Sequence, residues 1–134
     1  MLVLDASVII AAALGEGPRP WSRLLRHDSD LATPHVGRSE AISVLHEKAW
    51  RREITATQAR ETLRIVLDAP VALVEIVDPM RIWHLADSFG WAKTYDAEYV
   101  ALTQQVNGAL VTIDLALLRR VGDLVSVVNM TDLS

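Results

Sequence analysis

The chain has 134 residues, of which 51% are hydrophobic and 22% are charged, and its formal net charge is -4. This size and composition predict one compact domain over residues 1–134 and exclude a two-domain enzyme. The sequence contains no cysteine, which excludes disulfide frameworks, thiol nucleophiles and zinc–thiolate sites. A chain without cysteine also suits a reducing cytoplasm.

The N-terminal segment is apolar, yet it differs from an export signal and from a membrane anchor. No basic residue precedes the apolar stretch, and Asp5 interrupts it. The run from Val8 to Leu14 is far shorter than the roughly 20 residues that a membrane helix needs. We therefore expect a soluble, cytoplasmic protein with no membrane partner.

Apolar runs and helix-length segments alternate along the chain. In chain order, the first half predicts a strand at 1–4, a helix at 6–14, a short helix near 21–25, a strand at 31–33 and a helix from 35 to about 53. The rest predicts a helix at 55–67, a strand at 71–77, helices at 79–89 and 94–106, a strand at 109–113, a helix at 115–121 and a strand at 125–128.

The predicted strands are apolar throughout and are separated by helices. This pattern is typical of a parallel sheet that is covered on both faces, so the fold class is α/β. Ligands of such sheets bind just beyond the carboxyl ends of the strands. Acidic residues at those ends are therefore the first candidates for a functional site.

Two predicted strands end in an aspartate. Asp5 follows the first strand and Asp114 follows the fourth, so both carboxylates are expected at the same edge of the sheet. On position alone, each is better explained as a helix N-cap, because aspartate is among the preferred N-cap residues. Ser7 has the same simple explanation, as a local partner of the backbone.

Two further acidic residues belong to predicted helices. Asp96 lies in a first helical turn, where the helix dipole favours a negative charge. Glu40 lies one to two turns into a helix that follows a strand end, although a solvated helix face would also explain it. If all four acids converge, carboxylates about 5 Å apart repel by about 3 kcal/mol per pair at an effective dielectric constant of about 20. A divalent cation with oxygen ligands, Mg2+ or Mn2+, would relieve that repulsion.

Four short motifs, taken in order, are similar to those of a known family. They are Asp5-Ala6-Ser7, Ser39-Glu40-Ala41, the segment TYDAEYVAL at 94–102 and the segment VTIDLALL at 111–118. With them, the chain resembles the PIN-domain ribonucleases, and it looks most like the VapC toxins of bacterial toxin–antitoxin pairs. The resemblance covers nearly the whole chain.

The resemblance implies a fold, a site and partners. The fold would be a five-stranded parallel sheet in a three-layer α/β/α sandwich. The catalytic residues, which would also bind Mg2+ or Mn2+, would be Asp5, Glu40, Asp96 and Asp114. Ser7 and Thr112 would supply hydroxyl groups beside the metal. The family also implies an RNA substrate, products with a 5′-phosphate and a 3′-hydroxyl, a homodimer and a cognate antitoxin.

The chain departs from the family pattern at two places. Ser43 stands where many relatives have asparagine, and leucines follow Asp114 where some relatives have another acid. One ion or two therefore both remain open, with Glu98 and Asp123 as the other acidic residues nearby.

Basic residues near the predicted site are candidates for RNA contact. Arg38 adjoins Glu40 and Lys93 shortly precedes Asp96, so these two are the preferred candidates for contacts with phosphate. Trp91 and Tyr95 could stack on unpaired bases, although core packing would explain them better. The acidic balance does not exclude RNA, because setting four carboxylates aside leaves 13 of the 17 acids against 13 bases.

Two other functions compete with this hypothesis. A phosphoacceptor receiver domain would fit Asp5 at the end of one strand and Asp78 at the end of another, but it needs a paired acid beside Asp5 and a lysine at a later strand end. No lysine follows Lys93. A haloacid-dehalogenase-type phosphatase would need aspartate at the position of Ser7. A PIN module that binds RNA or protein without cleavage stays open.

Overall fold

The computed structural model describes residues 1–133 and contains one parallel sheet. Its strands are β1 (Leu2–Leu4), β2 (Leu31–Thr33), β3 (Val71–Leu73), β4 (Ala109–Thr112) and β5 (Ser126–Asn129). Their order in the sheet is β3-β2-β1-β4-β5, and every neighbouring pair is parallel. The predicted five-stranded parallel sheet is confirmed.

Helices connect the strands, as the alternation predicts. They are α1 (Ala6–Gly15), α2 (Ser22–His27), α3 (His35–Trp50), α4 (Ala56–Leu67), α5 (Pro79–Phe89), α6 (Tyr95–Val106) and α7 (Leu115–Val121), and a 3-10 turn covers Met130–Asp132. Thr55 begins α4 with a capping box that Gln58 completes, and Gly90 ends α5 in the left-handed conformation. Within residues 1–133, every helix is too short or too polar to cross a membrane.

The sheet separates two hydrophobic cores. Successive side chains of a strand point to opposite faces, so Leu2 and Leu4 pack with α1 to α4, whereas Val3 packs with α5 to α7. In β4, Val111 joins the first core and Leu110 the second. Each strand must therefore be apolar on both faces, which confirms the predicted α/β/α layers.

The adjacency of β1 and β4 positions the functional site. Leu4 pairs with Val111 in the parallel register, so the residues after these strands emerge at the same edge of the sheet. Asp5 and Asp114 are those residues, and each begins a helix. The next strand on the other side, β2, leads into α3, which carries Glu40.

The third strand is shorter than the predicted 71–77. It lies at the edge of the sheet, and its one partner, β2, ends at Thr33 before Pro34. The backbone after Val74 instead pairs with a side chain of α6, because Gln105 accepts a hydrogen bond from the Val77 N–H at 2.9 Å and donates one to the Glu75 carbonyl at 3.0 Å. A side chain thus replaces the missing strand partner.

Gly37 gives a test of how closely α3 packs on β2. A Cβ at this buried position would overlap Thr33 Oγ1 and lie 3.1 Å from Thr33 Cβ. The Thr33 hydroxyl cannot easily move, because it donates to the Leu4 carbonyl at 2.8 Å. We expect Gly37→Ala to lower the free energy of unfolding by about 1–3 kcal/mol through overpacking. The overpacking should outweigh the higher helix propensity of alanine relative to glycine.

Denaturant unfolding of the two proteins measures this difference. Gly15→Ala is the matched control, because nothing lies within 4 Å of its added Cβ. Equal stability changes for the two variants would contradict the close approach of α3 to β2.

Candidate active site

The structure brings the four predicted acidic residues to one cavity at the carboxyl edge of the sheet. The cavity has a volume of about 480 Å³, and its lining includes Asp5, Glu40, Asp96 and Asp114. Two of these side chains follow adjacent strands, and the other two project from α3 and α6. Glu98 and Asp123 do not line it within the described chain.

Asp5 is the most buried of the four acids, with 5% of its surface exposed. Its Oδ1 accepts hydrogen bonds from the Ser7 hydroxyl at 2.5 Å and the Val8 N–H at 3.0 Å, and its Oδ2 accepts one from the Thr112 hydroxyl. Burial raises the pKa of Asp5, and these hydrogen bonds offset the rise only in part. The N-cap explanation is correct, and the same carboxylate also faces the cavity.

Asp114 caps α7 in the same way. Its Oδ1 accepts from the N–H groups of Ala116 at 3.0 Å and Leu117 at 3.2 Å. Its own N–H donates to Thr112 Oγ1 at 2.9 Å, so one hydroxyl contacts both strand-end aspartates. Because capping uses only Oδ1, the second oxygen of Asp114 has no protein donor among residues 1–133.

Glu40 has a partner that sequence reasoning missed. The Tyr99 hydroxyl donates to Glu40 Oε1 at 2.9 Å, and the tyrosine is only 1% exposed. Burial raises the pKa of Glu40, the Tyr99 hydrogen bond lowers it in part, and the charges of Asp96 and Asp5 raise it further. One signal was available, since Tyr99 lies three residues after Asp96 on the same helix and so shares its face.

Asp96 lies in the first turn of α6, as predicted. Its carboxylate accepts no hydrogen bond from any described residue. Burial raises its pKa, the charges of Asp114 and Asp5 raise it further, and Arg120 lowers it in part. A half-buried carboxylate without a protein donor is well suited to an external cation.

The donors in this cavity fit a hard divalent cation by their chemistry. All four acids supply oxygen, and three of them are held with raised pKa values by burial and by one another. No three His, Cys, Asp or Glu side chains in residues 1–133 are placed close enough to bind one ion together. The acids therefore surround the cavity without meeting at one point, and an ion would have to draw the less constrained side chains inward.

The cavity also has an apolar wall and one cation. Ile10 and Leu14 of α1, Val44 of α3 and Leu117 of α7 contribute to the wall. Lys48 lies two turns after Glu40 on α3 and also lines the cavity. Its Nζ lies 3.6 Å from Glu53 Oε2, and both side chains are exposed enough for solvent to weaken this pair. Sequence reasoning missed Lys48.

The two preferred RNA-contact candidates lie in different places. Lys93 lines a second cavity that shares Asp96 with the first. Arg38 instead lines a separate pocket with Val66 and Leu73. Residues two apart on a helix point about 200° apart, so proximity to Glu40 in the sequence does not bring Arg38 to the carboxylate cavity.

The fold and the cavity together define a class of protein, a three-layer α/β/α domain with an acidic site beyond its central strands. The PIN domain family profile matches residues 2–124. Ribonuclease VapC9 of Mycobacterium tuberculosis and VapC ribonuclease Mb0985 of Mycobacterium bovis are each 36% identical to the chain over 118 residues, which cover 87% of this chain and 88% of each relative. The chain therefore belongs to the PIN-domain family and, within it, to the VapC ribonucleases.

Solved structures share the fold at low sequence identity. PAE2754 of Pyrobaculum aerophilum has a TM-score of 0.77 at 23% identity, over 97% of this chain and 83% of that one. VapBC-1 of nontypeable Haemophilus influenzae has a TM-score of 0.59 at 13% identity, over 98% of both chains. FitAB bound to a DNA fragment has a TM-score of 0.60 at 16% identity, over 100% of this chain and 98% of that one.

The receiver-domain alternative is set aside, because Asp78 caps α5 and lies outside the carboxylate cavity.

Tyr99 gives a test of the site's electrostatics. Tyr99→Phe removes the hydroxyl that stabilises the charged form of Glu40, so we expect the pKa of Glu40 to rise further above its ordinary value. Carbon-13 NMR titration of the glutamate carboxyl groups measures this shift. Tyr95→Phe is the control, because Tyr95 belongs to the same helix but is 50% exposed. An unchanged Glu40 titration in Tyr99→Phe would contradict the hydrogen bond.

Proposed function

We propose that this chain is a divalent-cation-dependent endoribonuclease and the toxin of a toxin–antitoxin pair, with residues 1–134 as one PIN domain. The supporting observation is the cavity lined by all four acids, in which the Asp96 carboxylate has no hydrogen-bond donor among residues 1–133. The two bacterial relatives are named ribonucleases, which supports RNA as the substrate. An RNA substrate and a sequence without cysteine both favour the cytoplasm.

Asp5, Asp96 and Asp114 are proposed to hold Mg2+ or Mn2+, with Glu40 as a fourth ligand or as the group that orients water. When bound, the ion would act as a Lewis acid that neutralises charge on the phosphodiester and lowers the pKa of water. Ser7 and Thr112 hold Asp5 in place through its two oxygens. Their hydroxyls thus orient a proposed metal ligand. Groups that donate hydrogen bonds to metal ligands commonly have this role.

Glu40 is proposed to act as the general base. Tyr99 occupies its Oε1, which leaves Oε2 for the attacking water, and burial raises the pKa of Glu40, which makes it a stronger base than an ordinary glutamate. The water oxygen forms a bond to phosphorus as its proton passes to Glu40. The bond from phosphorus to the 3′ oxygen breaks in line, that oxygen takes up a proton from solvent, and Glu40 releases the proton it accepted to solvent. The products carry a 5′-phosphate and a 3′-hydroxyl.

A cognate antitoxin and a second copy of the chain are the proposed protein partners. VapBC-1 and FitAB, which share the fold, support the antitoxin. Several large apolar side chains are exposed, among them Trp50 at 78% and Trp83 at 64%, and such surfaces favour an interface with another chain. Lys93 remains the preferred candidate for RNA contact, and Arg38 remains a weaker one because of its separate pocket.

An RNA cleavage assay tests the proposed activity. With Mn2+ or Mg2+, the cleavage rate of Asp96→Asn should fall below that of the wild type by more than about 10- to 100-fold. That range is typical when a residue that only holds a metal ligand in place is lost, whereas Asp96 is proposed to be a ligand itself. Asp123→Asn removes the same charge outside the cavity and should cleave as the wild type does. Sequencing of the cleaved ends should find 5′-phosphates.

Two results of that assay would contradict the proposal. Equal cleavage by the wild type and Asp96→Asn would indicate a contaminating nuclease. RNA binding by the wild type without any cleavage would instead support a PIN module that only binds.

Thermal unfolding tests the cation site without turnover. A ligand at 100 times its dissociation constant stabilises the folded state by about 2.7 kcal/mol, so Mg2+ should raise the Tm of the wild type by several degrees. The same addition should raise the Tm of Asp96→Asn much less. In chelator, Asp96→Asn should be the more stable protein, because it removes a carboxylate that the other acids repel and breaks no hydrogen bond. A larger Mg2+ effect on the variant would contradict the assignment of Asp96.

The pH dependence of the metal-free protein follows from the raised pKa values. Burial and repulsion raise the pKa of Asp96 in the folded state, so its protonated form stabilises the fold below its unfolded pKa of about 4. That contribution is lost as the pH rises through the raised folded value. The stability advantage of Asp96→Asn over the wild type in chelator should therefore grow between pH 4 and neutral pH. Urea unfolding at several pH values measures this difference, and a constant difference would contradict the shift.

A further inference from the structure

A second cavity of about 500 Å³ adjoins the carboxylate cavity, and Asp96 lines both. We call it the aromatic–basic pocket, and it is lined by Phe89, Trp91, Lys93 and Arg120 in addition to Asp96. Its walls come from the loop between α5 and α6 and from the last turn of α7. The first cavity is lined by four acids and Lys48, whereas the second is lined by two cations and by one acid, Asp96.

The two cations of this pocket are available to a ligand. Lys93 and Arg120 are both exposed, and neither forms an ion pair with any residue in 1–133. The field of Arg120 reaches Asp96, where it lowers the pKa in part, so its charge lies close to the proposed metal site. Two unpaired cations beside a site for a phosphodiester are placed to bind a neighbouring phosphate.

The aromatic wall of the pocket is a stacked pair. The rings of Phe89 and Trp91 lie 4.5 Å apart at an interplanar angle of 15°. Gly90 between them has a φ of 68°, a left-handed conformation that turns the chain. The backbone N–H of Trp91 donates to the Ala86 carbonyl at 2.9 Å, which holds the loop against α5. Both rings are partly buried and pack against the second core, and both also line the pocket beside the two cations.

A flat aromatic surface with nearby cations suits a nucleotide. Every base has a π-face that can extend an aromatic stack, but only an unpaired base can present it. An acidic peptide would use the cations and leave the aromatic pair without a partner. The combination therefore favours single-stranded nucleic acid over an acidic protein.

We propose that the aromatic–basic pocket binds an unpaired nucleotide next to the scissile phosphodiester, with its base on the Phe89–Trp91 stack and its phosphate on Lys93 and Arg120. This inference rests on the proposed function, because it assumes that the carboxylate cavity takes RNA. It adds Arg120 as a binding residue that the sequence motifs do not include.

Binding measurements in EDTA test the pocket separately from catalysis. The probes are a short fluorescein-labelled RNA, either single-stranded or annealed to its complement, and the readout is fluorescence anisotropy over a range of salt concentrations. Arg120→Gln should weaken binding of the single strand about five-fold or more and reduce the slope of log K against log salt by about 0.7, the value for one lost phosphate contact. Arg119→Gln removes the same charge from the preceding residue of α7, outside the pocket, and should change the affinity less than two-fold.

The aromatic wall is tested by Trp91→Leu. Loss of stacking should weaken the single strand about five-fold or more and leave the annealed RNA nearly unchanged, because paired bases cannot stack on the pocket. Circular dichroism checks that this variant is folded, and the Arg120→Gln comparison provides an independent test if it is not. A polyglutamate peptide should compete poorly with the single strand.

Three results would overturn the pocket assignment. They are equal effects of Arg119→Gln and Arg120→Gln, equal affinity for the single-stranded and annealed RNA, and competition by polyglutamate as strong as by unlabelled RNA. If any of these occurs while the wild type still cleaves RNA with added cation, the pocket fails and the proposed function stands. If binding depends on Arg120 and Trp91 but no cation-dependent cleavage is found, the proposed function fails and the pocket remains an RNA-binding site.

Discussion

The Thr112 hydroxyl is the contact on which the site depends. It donates to one oxygen of Asp5 and accepts the N–H of Asp114, so it joins the ends of the two central strands. Parallel pairing of β1 with β4 places the carboxyl ends of both strands at one edge of the sheet, which brings these groups together. In an antiparallel pair the two carboxyl ends would lie at opposite edges. Together with Ser7 and Val8, this hydroxyl satisfies an aspartate that is only 5% exposed. A buried carboxylate with fewer donors would be far more costly.

The same geometry makes the site electrostatically unfavourable without a counter-charge. Burial and mutual repulsion raise the pKa values of Asp5, Glu40 and Asp96 together, which shows that the fold concentrates negative charge and does not disperse it. The hydrogen bonds are unequally distributed among these residues. Both oxygens of Asp5 accept hydrogen bonds and one oxygen of Glu40 does, whereas the Asp96 carboxylate accepts none from residues 1–133. The scaffold therefore fixes Asp5 rigidly and constrains Asp96 least.

Local patterns in the sequence were enough to predict the parts of the site that depend on local structure. An apolar strand followed by aspartate and a helix predicted both the caps at Asp5 and Asp114 and their shared edge, since the parallel rule needs no knowledge of side-chain packing. The predicted start of α6 at Thr94 placed Asp96 in the first helical turn, where the helix dipole favours a negative charge. The N-cap explanation and the functional interpretation of Asp5 and Asp114 are compatible, because a capping carboxylate keeps one oxygen for other contacts.

Features that depend on how helices cross could not be predicted in this way. The hydrogen bond from Tyr99 to Glu40 joins residues 59 positions apart, and it requires the packing of α6 beside α3. Arg38 shows a related limit, since proximity to Glu40 in the sequence does not bring it to the carboxylate cavity, and it lines a separate pocket instead. The length of β3 was also wrong, because the strand pattern of 71–77 does not show that the neighbouring strand is only three residues long.

The charge distribution explains how an acidic chain is able to act on an anionic polymer. A net charge of -4 is a sum over the whole surface, whereas a phosphodiester responds to the field within about one Debye length, near 10 Å at moderate salt. Asp96 lines both the acidic cavity and the aromatic–basic pocket, so the two fields meet at one residue. A bound cation would neutralise much of the first cavity and leave the second with its positive charge. The site would then bind RNA more tightly in its cation-bound form, while Lys93 and Arg120 would still attract RNA in the metal-free protein.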